Sequence, residues 1–458
     1  MNTQKQPIWL RAFQIGDTRR KLLTILGLLL LYRLLTYFPL PGVSSFDFQQ
    51  VTAAQNSPDL VTGFVNLLSG GAYFRLSVLA LGLLPYASAN SLVKLLMGFF
   101  PSSFDAKQIG SLEANRRIKS LIYWLLAPCA VLQAYLLFFV TSVDCSLHIT
   151  VQSRFNFATG LLPAFTVIAC LTAGAYFVTW IAELINLYGF QSLGFNAIIF
   201  TGAALMLPEE VYKLWKEPVS TFNATLWQGL PTEAVQWLGA GLYLLALLVG
   251  LFLMVNLILG KREFPVMFSS RMPIRPGHLP SVSKIPVSIS MALDAIIDVQ
   301  SLLTFIVLLI GWLICSPSAV LQTVASAVQS AMAPKSIFSG PILFLVLLSL
   351  GPLIADLRFS ELDLATNLEK SGGQILGIRR GQPTANYLQR VFRRIIIFPT
   401  LLGGLILLIP WIFNVLFGFN ASLLAGEALL LMVTFVRDLD AMVSSDVMLH
   451  SYDDRSIL

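Results

Sequence analysis

Ten times along its length this chain runs for about twenty residues, or nearly so, with few or no charged side chains, and nothing else in it restricts the fold so strongly. The hydrocarbon core of a bilayer is about 30 Å thick, and roughly 20 apolar residues in an α-helix cross it while satisfying every backbone N–H and C=O internally. The runs lie near 21–38, 75–100, 118–141, 160–187, 195–208, 235–259, 287–314, 338–357, 395–417 and 420–436. The fifth is short enough to need tilt or burial among its neighbours. A hydrophobic share of 56% against 12% charged residues exceeds what a soluble domain of this length needs for one core. The expectation is an all-α polytopic membrane protein with ten transmembrane helices.

The formal charge of +6 says less about partners than the placement of Lys and Arg says about topology. With a cytosolic N-terminus, the cytosolic segments hold Lys5, Arg11, Arg19, Arg20 and Lys21, then Lys107, Arg116, Arg117 and Lys119, then Lys261, Arg262, Arg271, Arg275 and Lys284. The segment after the eighth run adds Arg358, Lys370, Arg379, Arg380, Arg390, Arg393 and Arg394, and the tail adds Arg437 and Arg455. The opposite side holds Arg154, Lys213, Lys216 and Lys335, while Arg33, Arg75 and Lys94 fall in or at the edge of spans. Both termini are therefore expected inside, with the bilayer as solvent and no nucleic-acid partner. The first run is followed by Tyr37-Phe38-Pro39-Leu40-Pro41 rather than a small-residue cleavage site, so it reads as a retained span.

Motifs for soluble chemistry are absent. There is no phosphate loop, no Gly-x-Ser-x-Gly elbow and no His/Cys cluster, and His148, His278 and His450 lie far apart. Cys129, Cys145, Cys170 and Cys315 are scattered in a way that suggests neither a disulfide framework nor a metal site. No catalytic residue, metal or cofactor is expected, so the energy for directed transport would come from a partner or an ion gradient.

Residues 1–20 are polar with one apolar side (Ile8, Trp9, Leu10, Phe13), which suits a short helix on the cytosolic surface or, equally, a frayed tail. Residues 39–74 form an external segment ending in Phe64-Val65-Asn66-Leu67-Leu68-Ser69-Gly70-Gly71, half apolar and too short to span. A re-entrant element of that kind survives at membrane depth only where protein or a water-filled cavity surrounds it. The long basic stretches 260–285 and 358–394 are either docking surfaces or simply enforcers of topology.

Several stretches, in order along nearly the whole chain, resemble the SecY family, the channel subunit of the secretory translocase. They are Leu26-Gly27-Leu28 with Tyr32-Arg33-Leu34 and Pro39-Leu40-Pro41-Gly42; Ser69-Gly70-Gly71-Ala72 with Leu79-Ala80-Leu81-Gly82-Leu83-Leu84-Pro85-Tyr86; Leu171-Thr172-Ala173-Gly174 with Trp180 and Glu183; and Ile198-Ile199-Phe200-Thr201-Gly202 with Leu207-Pro208. The most specific is Asn367-Leu368-Glu369-Lys370-Ser371-Gly372-Gly373, then Gly377-Ile378-Arg379, Gly381, Pro383-Thr384-Ala385 and Tyr387-Leu388.

The resemblance implies two pseudo-symmetric five-helix halves, about 1–235 and 236–458, with an hourglass pore between them and a plug at about 62–72 (Leu67, Leu68, Ser69, Gly70, Gly71). It implies an apolar pore ring at Leu83, Ala87, Phe195 and Ile199, a lateral gate, and a bacterial plasma-membrane location. It further implies a SecA-type motor ATPase docking at Arg262, Arg271, Arg379 and Arg380, small SecE/SecG-like subunits or accessory Sec proteins, and a secretory polypeptide bearing a signal sequence. The physics is consistent, because a channel that passes an unfolded chain yet holds back ions needs a narrow, apolar, deformable waist.

Departures are local. Glu263 and Ser270 stand where the family carries positive charge, the turn Gly189-Phe190-Gln191-Ser192-Leu193-Gly194 is altered, and Arg380 replaces a proline. Asp294, Asp298 and Glu427 sit inside apolar runs, where a carboxylate faces a cavity or a partner. They suggest either a hydrophilic pore and gate or pairing with cations such as Arg33 or Lys94. Together the departures resemble the accessory SecY group, which exports serine-rich glycosylated adhesins; a housekeeping SecY is the alternative. The reading from another class is an ion-coupled solute transporter with those three carboxylates as ion ligands.

Overall fold

The computed structural model describes residues 8–41, 60–99, 112–136, 161–216, 232–268, 282–288, 291–314, 319–332, 336–358, 368, 370, 373–375, 377–379, 381–417 and 425–456. Its helices are α1 (Ile8–Gln14), α2 (Gly16–Leu35), α3 (Leu60–Leu68), α4 (Leu84–Phe99), α5 (Leu112–Tyr135), α6 (Leu161–Tyr188), α7 (Gly194–Lys216) and α8 (Thr232–Leu259). After strands β1 (Lys261–Phe268) and β2 (Val282–Ser288) come α9 (Met291–Ile314), α10 (Ala319–Met332) and α11 (Ser339–Arg358). Strand β3 (Gly373–Ile375) precedes α12 (Gln382–Leu407), α13 (Ile409–Phe417) and α14 (Ala425–Ser456).

Among the described residues, five helical stretches are both long and apolar enough to cross a bilayer: 116–135, 165–188, 237–259, 293–311 and 382–416. Gly194–Leu205 and Ser339–Ala355 are shorter apolar helices. Apolar side chains cover much of the outer surface, including Leu23, Leu26, Leu30 and Leu34 on α2 and Leu245, Leu248, Val249 and Phe252 on α8. Such stripes favour lipid as the surrounding medium.

Three expectations need correction. The run at 75–100 is not one helix: helical structure begins only at Leu84, and residues 69–83 form tight turns that include Gly82 at φ 52° and Leu76 at φ 47°. Here Leu40 N donates to Leu76 O (2.8 Å) and Val78 N to Phe38 O (3.2 Å), so the segment pairs with the exit of α2 instead of coiling on itself. The apolar run at 395–417 belongs to a helix that starts at Gln382 and breaks at Leu408, since Pro410 has no N–H to continue the ladder. Third, the all-α expectation is amended by a three-stranded antiparallel sheet of order β2-β1-β3, with Lys261 opposite Ser288 and Val266 opposite Ile375. On β1, Phe264 and Val266 alternate inward between exposed Glu263 and Pro265, and Phe264 lies 6.2 Å from the Phe392 ring, tying the sheet to α12.

Helix α14 runs 32 residues, well past the apolar run at 420–436. It packs along α7 and α8 and meets α1 near its far end. Helix α9 packs against α3, α4, α10, α11 and α12.

Candidate functional site

The short helix α3 ends in a knot of hydrogen bonds. Ser69 Oγ donates to Asn66 O (3.1 Å) and accepts from Tyr73 N (3.1 Å), and Gly71 N donates to Asn66 O (2.8 Å). From α2, the buried Tyr32 hydroxyl donates to Ser69 O (2.6 Å) and Arg33 Nη1 donates to Gly70 O (2.8 Å). Leu83 N donates to Leu68 O (3.2 Å), which fastens the knot to the start of α4. Leu67, Leu68 and Ser69 are fully buried, and Gly70 and Gly71 adopt positive φ. On α7, Gly202 lies so close that a Cβ there would come within 2.2 Å of Leu67 O. Only a hydrogen at that position lets α7 lie against this segment. The plug residues named from the sequence are thus brought together and wedged between α2, α4 and α7.

The four ring residues lie on the same two helix starts. Leu83 (1% exposed) and Ile199 (6%) are buried, and Ala87 and Phe195 are partly buried against the same core. Tyr86 stacks on Phe195 with centroids 4.1 Å apart and planes at 9°, joining the first turn of α4 to that of α7.

Next to this apolar zone is a polar seam. Asn90, Ser91 and Lys94 share one face of α4 and meet Asp298 and Ser301 of α9. Lys94 Nζ donates to Asp298 Oδ2 at 2.7 Å, Asn90 Nδ2 and Ser91 Oγ approach Oδ1 at 3.4 and 3.5 Å, and the Ser91 and Ser301 hydroxyls are 2.8 Å apart. The Asp298 side chain is only 8% exposed and that of Lys94 19%. Of the two options for Asp298, a buried cation partner is therefore what the structure contains. Asp294 occupies the same face one turn earlier and is half-buried. Glu427 is 4% exposed in the first turn of α14, and its Oε2 has no hydrogen-bond partner.

A second seam joins α7 to α14. Phe200 stacks on Phe435 with centroids 4.4 Å apart, and Asn196 Nδ2 donates to Asp438 Oδ2 at 2.8 Å, beside an Arg437–Asp438 ion pair. Beyond it the N-terminal helices join in: Trp9 Nε1 donates to Asp440 (3.0 Å), and Asp446 accepts from Thr18 Oγ1 (2.7 Å) and Lys21 Nζ (2.8 Å). Burial alone would raise the Asp446 carboxyl. The hydrogen bonds from Lys21 and Thr18, together with the nearby charges of Lys21 and His450, outweigh it and hold the group below the usual carboxylate range. The apolar residues Trp9, Leu10 and Phe13 of α1 face outward while Ala12 is buried.

Arg262 and Arg379 are exposed, on β1 and just before α12 respectively. Arg271 and Arg380 lie outside the described residues. Among the described residues, no group of His, Cys, Asp and Glu is arranged to hold a metal ion. Sequence reasoning missed Gln300, Thr304 and Thr434, which are buried with side-chain polar atoms lacking any partner. Each such orphan costs about 1–3 kcal/mol. Their signal in the sequence is faint, since each is a single uncharged polar residue within an apolar run.

Residues 77–439 match the family description SecY. Among curated proteins, the protein translocase subunit SecY of Streptomyces coelicolor is 28% identical over 428 residues, covering 93% of this chain and 94% of that protein. The subunit of the same description from Helicobacter pylori is 25% identical over 442 residues, covering 94% and 96%. Of solved structures, one described as a protein conducting channel aligns with TM-score 0.58 at 15% identity over 96% of each chain. Canine Sec61, in a ribosome-channel complex from the endoplasmic reticulum, aligns with TM-score 0.54 at 16% identity, again over 96% of each. These structural likenesses are to the fold.

Proposed function

The chain belongs to the SecY family, and from that premise we propose that it is the protein-conducting channel subunit of a secretory translocase, a passive conduit in the bacterial plasma membrane. The observation that carries this reading is the family match across 77–439, which takes in the wedged segment's far side, both seams and the sheet. In the proposal the chain spans the membrane ten times with both termini cytosolic, as halves 1–235 and 236–458. The segment ending at Leu67, Leu68, Ser69, Gly70 and Gly71 acts as the plug. Leu83, Ala87, Phe195 and Ile199 form the apolar waist, and a dry apolar constriction blocks ions when empty.

The α4–α9 seam is then the gate toward lipid. Its polar lining supports that role, because groups that hydrogen-bond one another can exchange those partners for water or a passing chain at modest cost. The sheet with Arg262, the exposed Arg379, and Arg271 and Arg380 supply the docking surface for a SecA-type motor, with small SecE/SecG-like subunits or accessory Sec proteins clasping the helices. Glu263, Ser270 and Arg380 alter that surface's charge, and Glu427 with the half-buried Asp294 leaves polarity inside the bundle. Both features support an accessory channel for hydrophilic, glycosylated adhesins over a housekeeping one. The transporter reading loses support, because one of its three carboxylate ligands is already held by Lys94.

A photo-cross-linker placed at Leu83 or Phe195 tests the channel reading. With an exported chain stalled in transit, an adduct that vanishes when the signal sequence is deleted is the expected result. No adduct at either site, together with solute uptake that depends on Asp294 and Asp298, would falsify it. Comparing a serine-rich glycosylated substrate with an ordinary secretory one in the same assay decides the accessory role.

A further inference from the structure

On α9, Gln300 is 1% exposed and Thr304 is fully buried. Both polar atoms of the Gln300 side chain and the Thr304 hydroxyl lack a hydrogen-bond partner. The two residues are one turn apart and share a helix face, distinct from the face on which Asp298 and Ser301 meet α4. A leucine and a valine would fill the same space without leaving an amide and a hydroxyl unbonded, so the present residues weaken this packed arrangement. The atoms are closed to bulk solvent in this packing, and lipid tails offer no hydrogen bond. Their partner has to arrive when the elements around α9 part.

We propose that Gln300 and Thr304 are hydrogen-bonding contacts for the transiting polypeptide, dry and unpartnered while the channel is closed and satisfied only as it opens. The inference rests on the channel reading above. A glutamine amide presents a donor and an acceptor side by side, the complement of a peptide group. Four residues of helix rise about 6 Å, and two residues of extended chain span about 6.6 Å. Gln300 and Thr304 therefore match the backbone repeat of any extended chain, whatever its side chains. Recognition of this kind is sequence-independent, which a conduit for many segments of one long substrate requires. The same orphaned state recurs on α14 at Glu427 and Thr434, two turns apart on one face.

The test uses the full chain in its native membrane with its other cysteines replaced and a single cysteine at position 300 or 304. A small water-soluble thiol reagent is applied at rest and with a secretory chain stalled in transit. The expected result is no modification at rest and strong modification with the stalled chain. Modification at rest would mean that the site is already wet, and absence of modification in both states would mean a fixed packing position; either outcome overturns the proposal. The cross-linker at Leu83, run in the same membranes, separates the two claims: an adduct there with silent cysteines sinks only this proposal, whereas no adduct sinks the channel reading and this with it. Because cysteine could disturb packing, the pair Gln300→Leu and Thr304→Val provides a second reading. It should fold and assemble normally yet slow export roughly tenfold, what the loss of one dry hydrogen-bonding contact is worth. Export at the normal rate would also count against it.

Discussion

The α7–α14 contact is the more extensive of the molecule's two seams, and its chemistry is the opposite of that of the α4–α9 contact. The α4–α9 seam, the first, is held by Lys94, Asp298, Asn90, Ser91 and Ser301, with each group bonded to another across the seam. The second is held by an aromatic stack of Phe200 on Phe435 and by the long run of α14, with a polar contact from Asn196 to Asp438. A polar seam that separates into water exchanges its partners, because each freed group is hydrated. An aromatic seam that separates forfeits its dispersion contacts with nothing in exchange. In the proposed channel the first would part and rejoin and the second would stay shut, as a gate differs from a hinge.

The largest expected effect tests the gate. Removing one member of a buried ion pair strands the other, and that costs about 3–5 kcal/mol. Asp298→Ala should therefore lower the melting temperature of the detergent-purified protein markedly, while the double variant Asp298→Leu with Lys94→Met should recover most of the loss. Failure of the double variant to recover would mean that the seam depends on more than the pairing of these two charges. Reconstituted into sealed liposomes, Asp298→Ala should raise ion leak, because the stranded lysine draws water into the seam.

Next comes the hinge. Phe435 is 6% exposed, and truncating a buried phenylalanine costs about 3–5 kcal/mol. Phe435→Ala is placed second because Phe200 is only partly buried and can settle into the space. It should lower the melting temperature without changing ion leak or the accessibility of a cysteine at position 90. A leak equal to that of Asp298→Ala would erase the distinction between the two seams.

Much of this was legible in the sequence, and the exceptions share a cause. Sequence patterns report which residues are apolar, and the helices at 161–188, 232–259 and 339–358 follow from that directly. Residues 76–83 are mostly apolar too, so they read as part of a span. What breaks them into turns is pairing with Phe38 and Leu40, a contact that local composition does not encode. The sheet was hidden for the same reason: β3 lies about a hundred residues after β1, although the alternation of Glu263, Phe264, Pro265 and Val266 was there to be seen. The carboxylates were visible as anomalies, but whether Asp298 faced a pore or a lysine depended on Lys94 of a helix some two hundred positions earlier, and only the fold brings them together.

The smallest effect probes the junction of α14 with α2, beyond the second seam. Asp446 has its carboxyl held below the usual range, so it releases its proton more readily in the folded protein than in the unfolded chain. A group of that kind stabilises the fold fully above the ordinary carboxylate pKa of about 4, and the contribution disappears as the pH falls through the lower folded value. The side chains of Asp446 and Lys21 are 12% and 27% exposed, so screening keeps the contribution to about 1 kcal/mol or less. Melting temperatures measured from pH 7 down to pH 3 should therefore show the wild type and Asp446→Asn converging at the acid end, with the wild type slightly more stable at neutral pH. If the gap stayed constant across that range, the Thr18 hydrogen bond rather than the Lys21 charge would hold this junction of α14 with α2.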